Sequence, residues 1–248
     1  MKLVDTHCHL HLFEPVPAVD SNTTVHVMTV NPDEFDAARD LFGIEAGDAK
    51  RAGTPPNIQV ALGLFPEPVA AQEAALPAFL ERLPDTRFVG EIGLDYVTES
   101  EDERARQRRV LETILEACGP QHVLSLHSRR AAADTVAMLR GFSGTAILHW
   151  FSGPAAVVEN ADPALYWSLN TAMARSDRSK KLIRLMNPER ILTETDGPYI
   201  TIGDRPAAPK DVRRVIDFLA REWDVEAEEA AARVWQNYQK AVGSVSDR

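Results

Sequence analysis

The sequence predicts an α/β protein of the TIM-type (β/α)8 barrel class, and three observations carry that expectation. Eight short apolar runs recur along the chain, with helical patterns between most of them. The runs are nearly continuous in Val, Ile and Leu, as in strands buried on both faces of a parallel sheet. The length, 248 residues, suits one such barrel of about 250. Strict alternation of strand and helix closes eight strands into a barrel; an open doubly wound sheet satisfies the same count. The chain shows no Ser/Gly linker, low-complexity tract or repeat, so residues 1–248 are read as a single barrel domain.

In chain order the first strand is residues 3–6, and about a dozen residues rich in Pro and Asn separate His11 from the second, 24–30. A helix-bearing crossover needs at least about 10–12 residues with little left for loops. The first βα unit is therefore expected to be reduced, its helix missing or short. A helix over 33–42 leads to a strand at 58–64, then a helix at 71–83 and a strand at 88–92. The helix Glu101–Ala117 is the clearest: Val110, Leu111, Ile114 and Leu115 form one stripe, with Arg/Glu pairs opposite. Strands at 122–126, 145–148, 165–169 and 190–195 follow, interleaved with helices at 131–139, 155–161 and 179–186. Two C-terminal helices close the chain: 209–223, where Pro209 suits a first helical position, and 225–242.

Composition narrows the function classes. With 44% hydrophobic and 26% charged residues the chain builds a sizeable core, which excludes disordered, collagen-like and coiled-coil classes. No apolar run approaches the roughly 18–20 residues that span a bilayer, so no membrane role is expected. The N-terminus reads as a strand start without a signal-peptide apolar region. Two cysteines, Cys8 and Cys118, make no disulfide framework, and a cytoplasmic protein is expected. The net charge of −10 argues against broad coating of DNA. It leaves room for an enzyme that handles a short nucleic-acid end through metal ions.

The chemistry lies at the C-terminal ends of the strands, where barrel active sites sit. The first strand ends in Asp5-Thr6-His7-Cys8-His9, and histidines two apart project to one side of an extended chain. Taken alone, His-x-His is equally a pair of packed histidines. Cys8 points the other way, toward packing, and His11 falls in the loop. The fourth strand places Glu91 between Val89 and Ile92. A carboxylate there must be paired, protonated or metal-bound. Asp95, just beyond, reads as a loop cap. The fifth, sixth and eighth strands run into His127, His149 and Asp196. One histidine at a strand end is commonplace; five strands converging on His7, His9, Glu91, His127, His149 and Asp196 are not. Four imidazoles and two carboxylates suit two divalent ions, with one carboxylate able to bridge them. The absence of cysteine from the set favours a hydrolytic site with open positions over a closed structural zinc site. Zn, Mg and Mn all fit such ligands.

The motifs Asp5-Thr6-His7-Cys8-His9-Leu10, Gly90-Glu91-Ile92-Gly93-Leu94-Asp95, Leu126-His127-Ser128-Arg129, His149-Trp150-Phe151-Ser152-Gly153 and Glu194-Thr195-Asp196-Gly197-Pro198-Tyr199 resemble those of the TatD family. These are metal-dependent deoxyribonucleases on an amidohydrolase-type barrel, and the resemblance runs from residue 3 to about 240. It implies that His7, His9 and Asp196 hold one ion, that His127 and His149 hold the other, and that Glu91 bridges them. It further implies that a metal-activated water attacks phosphorus, with Asp196 as general base. The sequence departs from the family at Gly63-Leu64-Phe65-Pro66, where the family has Gly-x-His-Pro with a histidine thought to help at the substrate phosphate. The wording around His127, His149 and Asp196 is similar to that of the QatD subfamily, the TatD-like component of four-gene Qat antiphage systems. That similarity implies a defence role and companion proteins encoded in one operon.

Three residues are read as substrate contacts. Arg129, two past His127, can fork onto a phosphate or bridge to the start of the next helix. Trp150 and Tyr96, beside ligands on the open face, can stack on a base, worth roughly 1–3 kcal/mol, or pack against loops. Tyr199 reads as structural, and Arg104, Arg106, Arg108 and Arg109 as a solvated helix face. No phosphate-binding Gly-Lys loop and no Gly-x-Ser-x-Gly elbow occurs. The expected function is metal-dependent phosphodiester hydrolysis, acting on DNA that is single-stranded or from a 3′ end. The alternatives are hydrolysis of a small ester, amide or phosphoester, and a nuclease subunit active only within a multiprotein complex.

Overall fold

A computed structural model describes residues 1–44 and 57–243. Eight parallel strands carry the fold: β1 (Leu3–Cys8), β2 (Thr23–Val27), β3 (Ile58–Val60), β4 (Phe88–Gly93), β5 (Val123–His127), β6 (Thr145–His149), β7 (Tyr166–Leu169) and β8 (Ile191–Thr193). They pair in sequence order as a three-stranded sheet β1-β2-β3 and a five-stranded sheet β4-β5-β6-β7-β8. The order never reverses, so a doubly wound sheet with its switch point does not describe the chain.

The two sheets meet at two irregular seams. At one, Leu62 bridges Val89 in parallel, with Leu62 N–H on Phe88 O at 3.0 Å and Gly90 N–H on Leu62 O at 2.9 Å. At the other, Asp196 N–H donates to His7 O at 2.8 Å and Thr195 N–H to Asp5 Oδ1 at 2.9 Å. The result is an alternating α/β fold of the distorted TIM-barrel kind.

Helices α1 (Pro32–Phe42), α2 (Val69–Arg82), α3 (Glu101–Ala117), α4 (Ala132–Met138), α5 (Ala155–Glu159), α6 (Thr171–Arg175) and α7 (Asp177–Ile183) lie between successive strands. β1 reaches β2 through only a 3-10 turn, Leu10–Leu12, so the first βα unit is reduced as expected. α3 starts where Ser100 Oγ accepts from Glu103 N–H and buries Val110, Leu111 and Ile114. The third ladder is shorter than the apolar run 58–64 because only residues 58–60 pair regularly. At Gly63 a Cβ would stand 1.7 Å from Thr29 O, so no other residue fits that close passage.

β8 is followed by a small antiparallel hairpin, β9 (Thr201–Ile202) and β10 (Arg205–Pro206), and then by α8 (Val212–Trp223) and α9 (Ala227–Gly243). α9 is pinned to β8 by Asn237, whose Nδ2 donates to Pro188 O at 2.8 Å and Ile191 O at 2.9 Å. Among the described residues no helix is long and apolar enough to cross a membrane. Both cysteines are free and buried.

Candidate metal centre

Register breaks aim the side chains inward. The β1–β2 ladder slips between Asp5 and Cys8, where His7 stands. The β4–β5 ladder slips between Val89 and Ile92, where Glu91 stands. Such bulges bend a strand and redirect its side chains. Asp196 and Trp150 take left-handed backbone, φ 49° and φ 37°, just after β8 and β6. For non-glycine residues such strain gathers at functional sites.

Glu91 is the hub of the cluster. Its Oε1 meets His127 Nδ1 at 2.7 Å and His149 Nε2 at 2.9 Å. Its Oε2 faces His7 Nε2 at 3.7 Å and His9 Nε2 at 3.5 Å. Asp196 Oδ1 stands 3.7 Å from His7 Nε2 and 3.8 Å from His9 Nε2. These longer gaps exceed hydrogen-bond range. They match two ligands of one ion, which at about 2.0–2.2 Å from the metal are about 3–4 Å from each other.

Three groups of ligand atoms lie mutually within 4.8 Å: His7, His149 and Asp196; His7, His9 and Glu91; Glu91, His127 and His149. All six residues that the motifs single out therefore meet in one place. His7 Nε2, His9 Nε2 and His149 Nδ1 are buried without a hydrogen-bond partner. Buried imidazole nitrogens left open beside carboxylates are what cation ligands require, so the donor set fits a pair of divalent ions.

The electrostatics point the same way. Burial opposes ionisation of Glu91, but the charge of His149 and hydrogen bonds from His127 and His149 hold its carboxyl well below the usual range. Burial likewise lowers His149, yet Glu91 and Glu194 outweigh it and push the imidazole well above its ordinary value. His7 is driven down, by burial first and then by His149. Burial pushes Asp196 up to about 8, against the pull of His149. Glu91 thus draws protons onto His149 and His127, the positive charge that a divalent ion would supply in their place.

Around the cluster stand residues that the sequence motifs do not single out as site residues. Ser125 Oγ sits 2.8 Å from His7 Nδ1, which turns Nε2 toward the carboxylates. Asp95 does more than cap its loop through Val97 N–H: its Oδ2 lies 2.8 Å from His127 Nε2. Glu194, fully buried, accepts from Trp150 N–H at 3.0 Å and Asn170 Nδ2 at 2.8 Å and stands 3.8 Å from His149 Nδ1. A carboxylate inside an apolar strand is the signal that marks Glu91, and Glu194 carries it too.

A cavity of ≈ 980 Å³ opens over the cluster, lined by Glu91, His127, His149 and Asp196 on its floor and by Arg129, Trp150, Phe65 and Tyr199 among its walls. Phe65 meets His127 edge-on, 5.1 Å between ring centres. Tyr199 meets His9 the same way at 4.9 Å. Tyr96 is not among the lining residues. Its hydroxyl donates to Asp134 at 2.7 Å and accepts from Arg108 at 2.9 Å, and its ring lies beneath Arg104 and Arg108. Arg106 pairs with Glu73, Arg108 with Glu101, and His11 with Glu34. Cys8 packs, its Sγ 3.6 Å from Gly197 O.

A family model described as TatD related DNase matches residues 4–243. Mouse TATDN3 is 30% identical over 135 residues, which cover 52% of this chain and 46% of that protein. The chain thus matches about half the length of that relative. The 3′-5′ ssDNA/RNA exonuclease TatD of Citrobacter koseri is 28% identical over 148 residues, 57% of each chain. Among solved structures, the TatD homologue YJJV of Escherichia coli superposes with a TM-score of 0.77 at 23% identity, covering 97% of both chains, which shows a common fold.

Proposed function

Because the chain belongs to the family of TatD-related DNases, we propose that its metal centre hydrolyses phosphodiester bonds in DNA, working inward from an end. The protein is a metal-dependent hydrolase with two clustered His/Asp/Glu sites for a di-metal cofactor. The observation that carries the reading is the position of Glu91, one carboxylate oxygen on the His127/His149 side and the other on the His7/His9 side. His7, His9 and Asp196 would hold one ion and His127 and His149 the other, with Glu91 placed to serve both. Bound divalent ions supply Lewis-acid polarisation of the phosphoryl oxygen and acidify water at neutral pH.

The side chains do the rest. Asp196, on the cavity floor, takes the proton of the attacking water as general base. Arg129, 61% exposed, forks onto a non-bridging phosphate oxygen. Trp150 stacks on a base, and Phe65 walls off solvent beside His127. A 3′ end and single-stranded DNA are the preferred substrate, in line with the 3′-5′ exonuclease activity of the Citrobacter relative. Residues 1–248, of which 45–56 and 244–248 lie outside the described residues, act as one hydrolase barrel domain in the cytoplasm, in keeping with two free thiols. The similarity to QatD supports an antiphage setting with companion proteins; capture of no operon product by the tagged chain from its host would remove that part.

End-labelled single-stranded DNA, incubated with the purified chain and Mg²⁺, Mn²⁺ or Zn²⁺, tests the central reading. A metal-dependent ladder from one end, absent with His127→Ala, is the expected result. A second reading has its own observation: Phe65 stands where the family carries a histidine, beside the apolar Leu64, Pro68 and Ala71 in the cavity wall. That wall suits a small ester or phosphoester. Turnover of bis(4-nitrophenyl) phosphate with no cleavage of DNA would favour it and overturn the first.

A further inference from the structure

Arg175 and Arg178 lie outside the metal centre, and the chemistry above gives them no task. α6 and α7 follow the C-terminal end of β7 and so bring both to the side of the molecule on which the cavity opens. Both are exposed. Arg178 Nη2 donates to Ser152 O at 3.2 Å, and Ser152 lines the cavity. Arg175 Nη2 donates to Thr201 O at 3.3 Å, two residues beyond Tyr199. Each guanidinium is thus held at the rim by one N–H, and among the described residues its other four donors meet no acceptor.

Among the described residues neither arginine has a carboxylate within salt-bridge distance, while Arg82, Arg184 and Arg205 each meet one. Asp177, between the two, pairs instead with Lys180 at 3.0 Å. The arrangement continues round the rim. Arg129 reaches its nearest carboxylate oxygen, on Asp95, only at 4.0 Å. Trp150, 39% exposed, stands between Arg129 and the pair Arg178 and Arg175, and Tyr199, 61% exposed, follows that pair. From the end of β5 to the end of β8 the rim therefore carries a cation, a ring, two cations and a second ring.

We propose that this arc, Arg129, Trp150, Arg178, Arg175 and Tyr199, is the track on which a single-stranded nucleic acid lies as its end enters the metal centre. The inference rests on the nuclease reading above and adds the residues that hold the strand. Arginines neutralise phosphates and exposed rings stack on bases, the two contacts that hold single strands without regard to sequence. Among the described residues the opposite wall of the cavity, with Leu64, Phe65, Ala71 and Ala75, offers no cation, so the strand approaches from the side of the arginines. Stacking on the two rings needs unpaired bases, which selects single strands over duplex.

The test uses the whole chain with the double substitution Arg175→Ala/Arg178→Ala, which leaves the ligands untouched. Binding of a labelled oligo(dT) of about 20 nucleotides to chelator-treated protein is followed by anisotropy across a salt series. The variant is expected to bind about tenfold more weakly, with the slope of log K against log [salt] shallower by about 1.4, or about 0.7 for each phosphate lost. Its kcat and KM on bis(4-nitrophenyl) phosphate should equal those of the unaltered chain. A variant that binds oligo(dT) with unchanged affinity and slope overturns the arc. So does an equal loss in Arg213→Ala/Arg214→Ala, whose arginines pair with Asp217 and Asp211 elsewhere, and so does an unaltered chain that binds no oligo(dT). If the unaltered chain binds the strand through these arginines yet cleaves no DNA, the arc stands and the nuclease reading falls; normal cleavage with an indifferent double variant gives the reverse.

Discussion

Glu91 is buried, ionised and shared between two pairs of imidazoles. Replacing one oxygen with an NH₂ group keeps the shape but removes the charge and presents a donor where an acceptor is needed. Glu91→Gln is therefore expected to bind fewer than two ions per chain by elemental analysis and to lose at least about 10³-fold in turnover, since one side chain serves both sites. Two tightly bound ions in an active Glu91→Gln protein would mean that Glu91 bridges nothing. The sequence discloses this residue because a carboxylate between Val89 and Ile92 is costly to bury without a cation or a proton. It discloses His7, His9, His127, His149 and Asp196 through their recurrence at strand ends. It does not disclose Ser125 or Asp95 as partners of His7 and His127. Serine in a strand and aspartate in a turn are ordinary, and only the packing of β1 against β5, or of the loop after β4 against His127, gives them a task. Tyr96 shows the converse: near a ligand in sequence, it is turned toward α3 and α4 by Asp134 and Arg108.

Between elements, the end of the fold away from the cavity is held by a polar contact inside apolar packing. His26 on β2 lies 3.0 Å from the Tyr238 hydroxyl on α9 and edge-on to Phe88 on β4 at 4.5 Å. Burial, and then the charge of Arg87, push His26 down to about 3, from an ordinary value of 6.5. The unfolded chain thus takes a proton that the folded chain refuses. Stability from this group is complete above pH 6.5 and is lost as pH falls toward 3, by at most about 1.4 kcal/mol per pH unit. In urea titrations of metal-free protein at pH 7, 6 and 5, His26→Phe should show a shallower fall of unfolding free energy than the unaltered chain; parallel slopes would mean that His26 is protonated in the fold. Elements with strong periodicity, such as α3, are legible to the residue, because burial of Val110, Leu111 and Ile114 follows the stripe. β3 is shorter than its apolar run since apolarity persists from Ala61 to Leu64 after regular pairing ends at Val60. α6 has five residues behind an Asn170 cap, and the β9–β10 hairpin has two per strand. Neither is long enough to express a period.

For the molecule as a whole, the metal centre lies where the fold is least regular. The six clustered side chains come from β1 and the residue after it, β4, β5, β6 and the residues after β8, and so from both sheets. The β1–β8 seam next to it has no regular ladder, only contacts such as Asp196 N–H on His7 O and the Asp5 carboxylate on Thr195. Ions held there would join the two sheets with bonds that the backbone does not supply. A ligand that binds only the folded state stabilises it by about 2.7 kcal/mol at a hundred times its dissociation constant. For a chain of this size each kcal/mol moves the melting point by about 2–4 °C, so two saturated sites should raise Tm over the chelated protein by on the order of 10 °C. His127→Ala, which keeps the His7/His9/Asp196 side, should retain a rise but a smaller one. Thermal melts with saturating metal and with chelator decide the matter. Equal midpoints in the unaltered chain would mean that the native cluster holds no ion, and the unpartnered nitrogens of His7, His9 and His149 would then have to answer to hydrogen bonding alone.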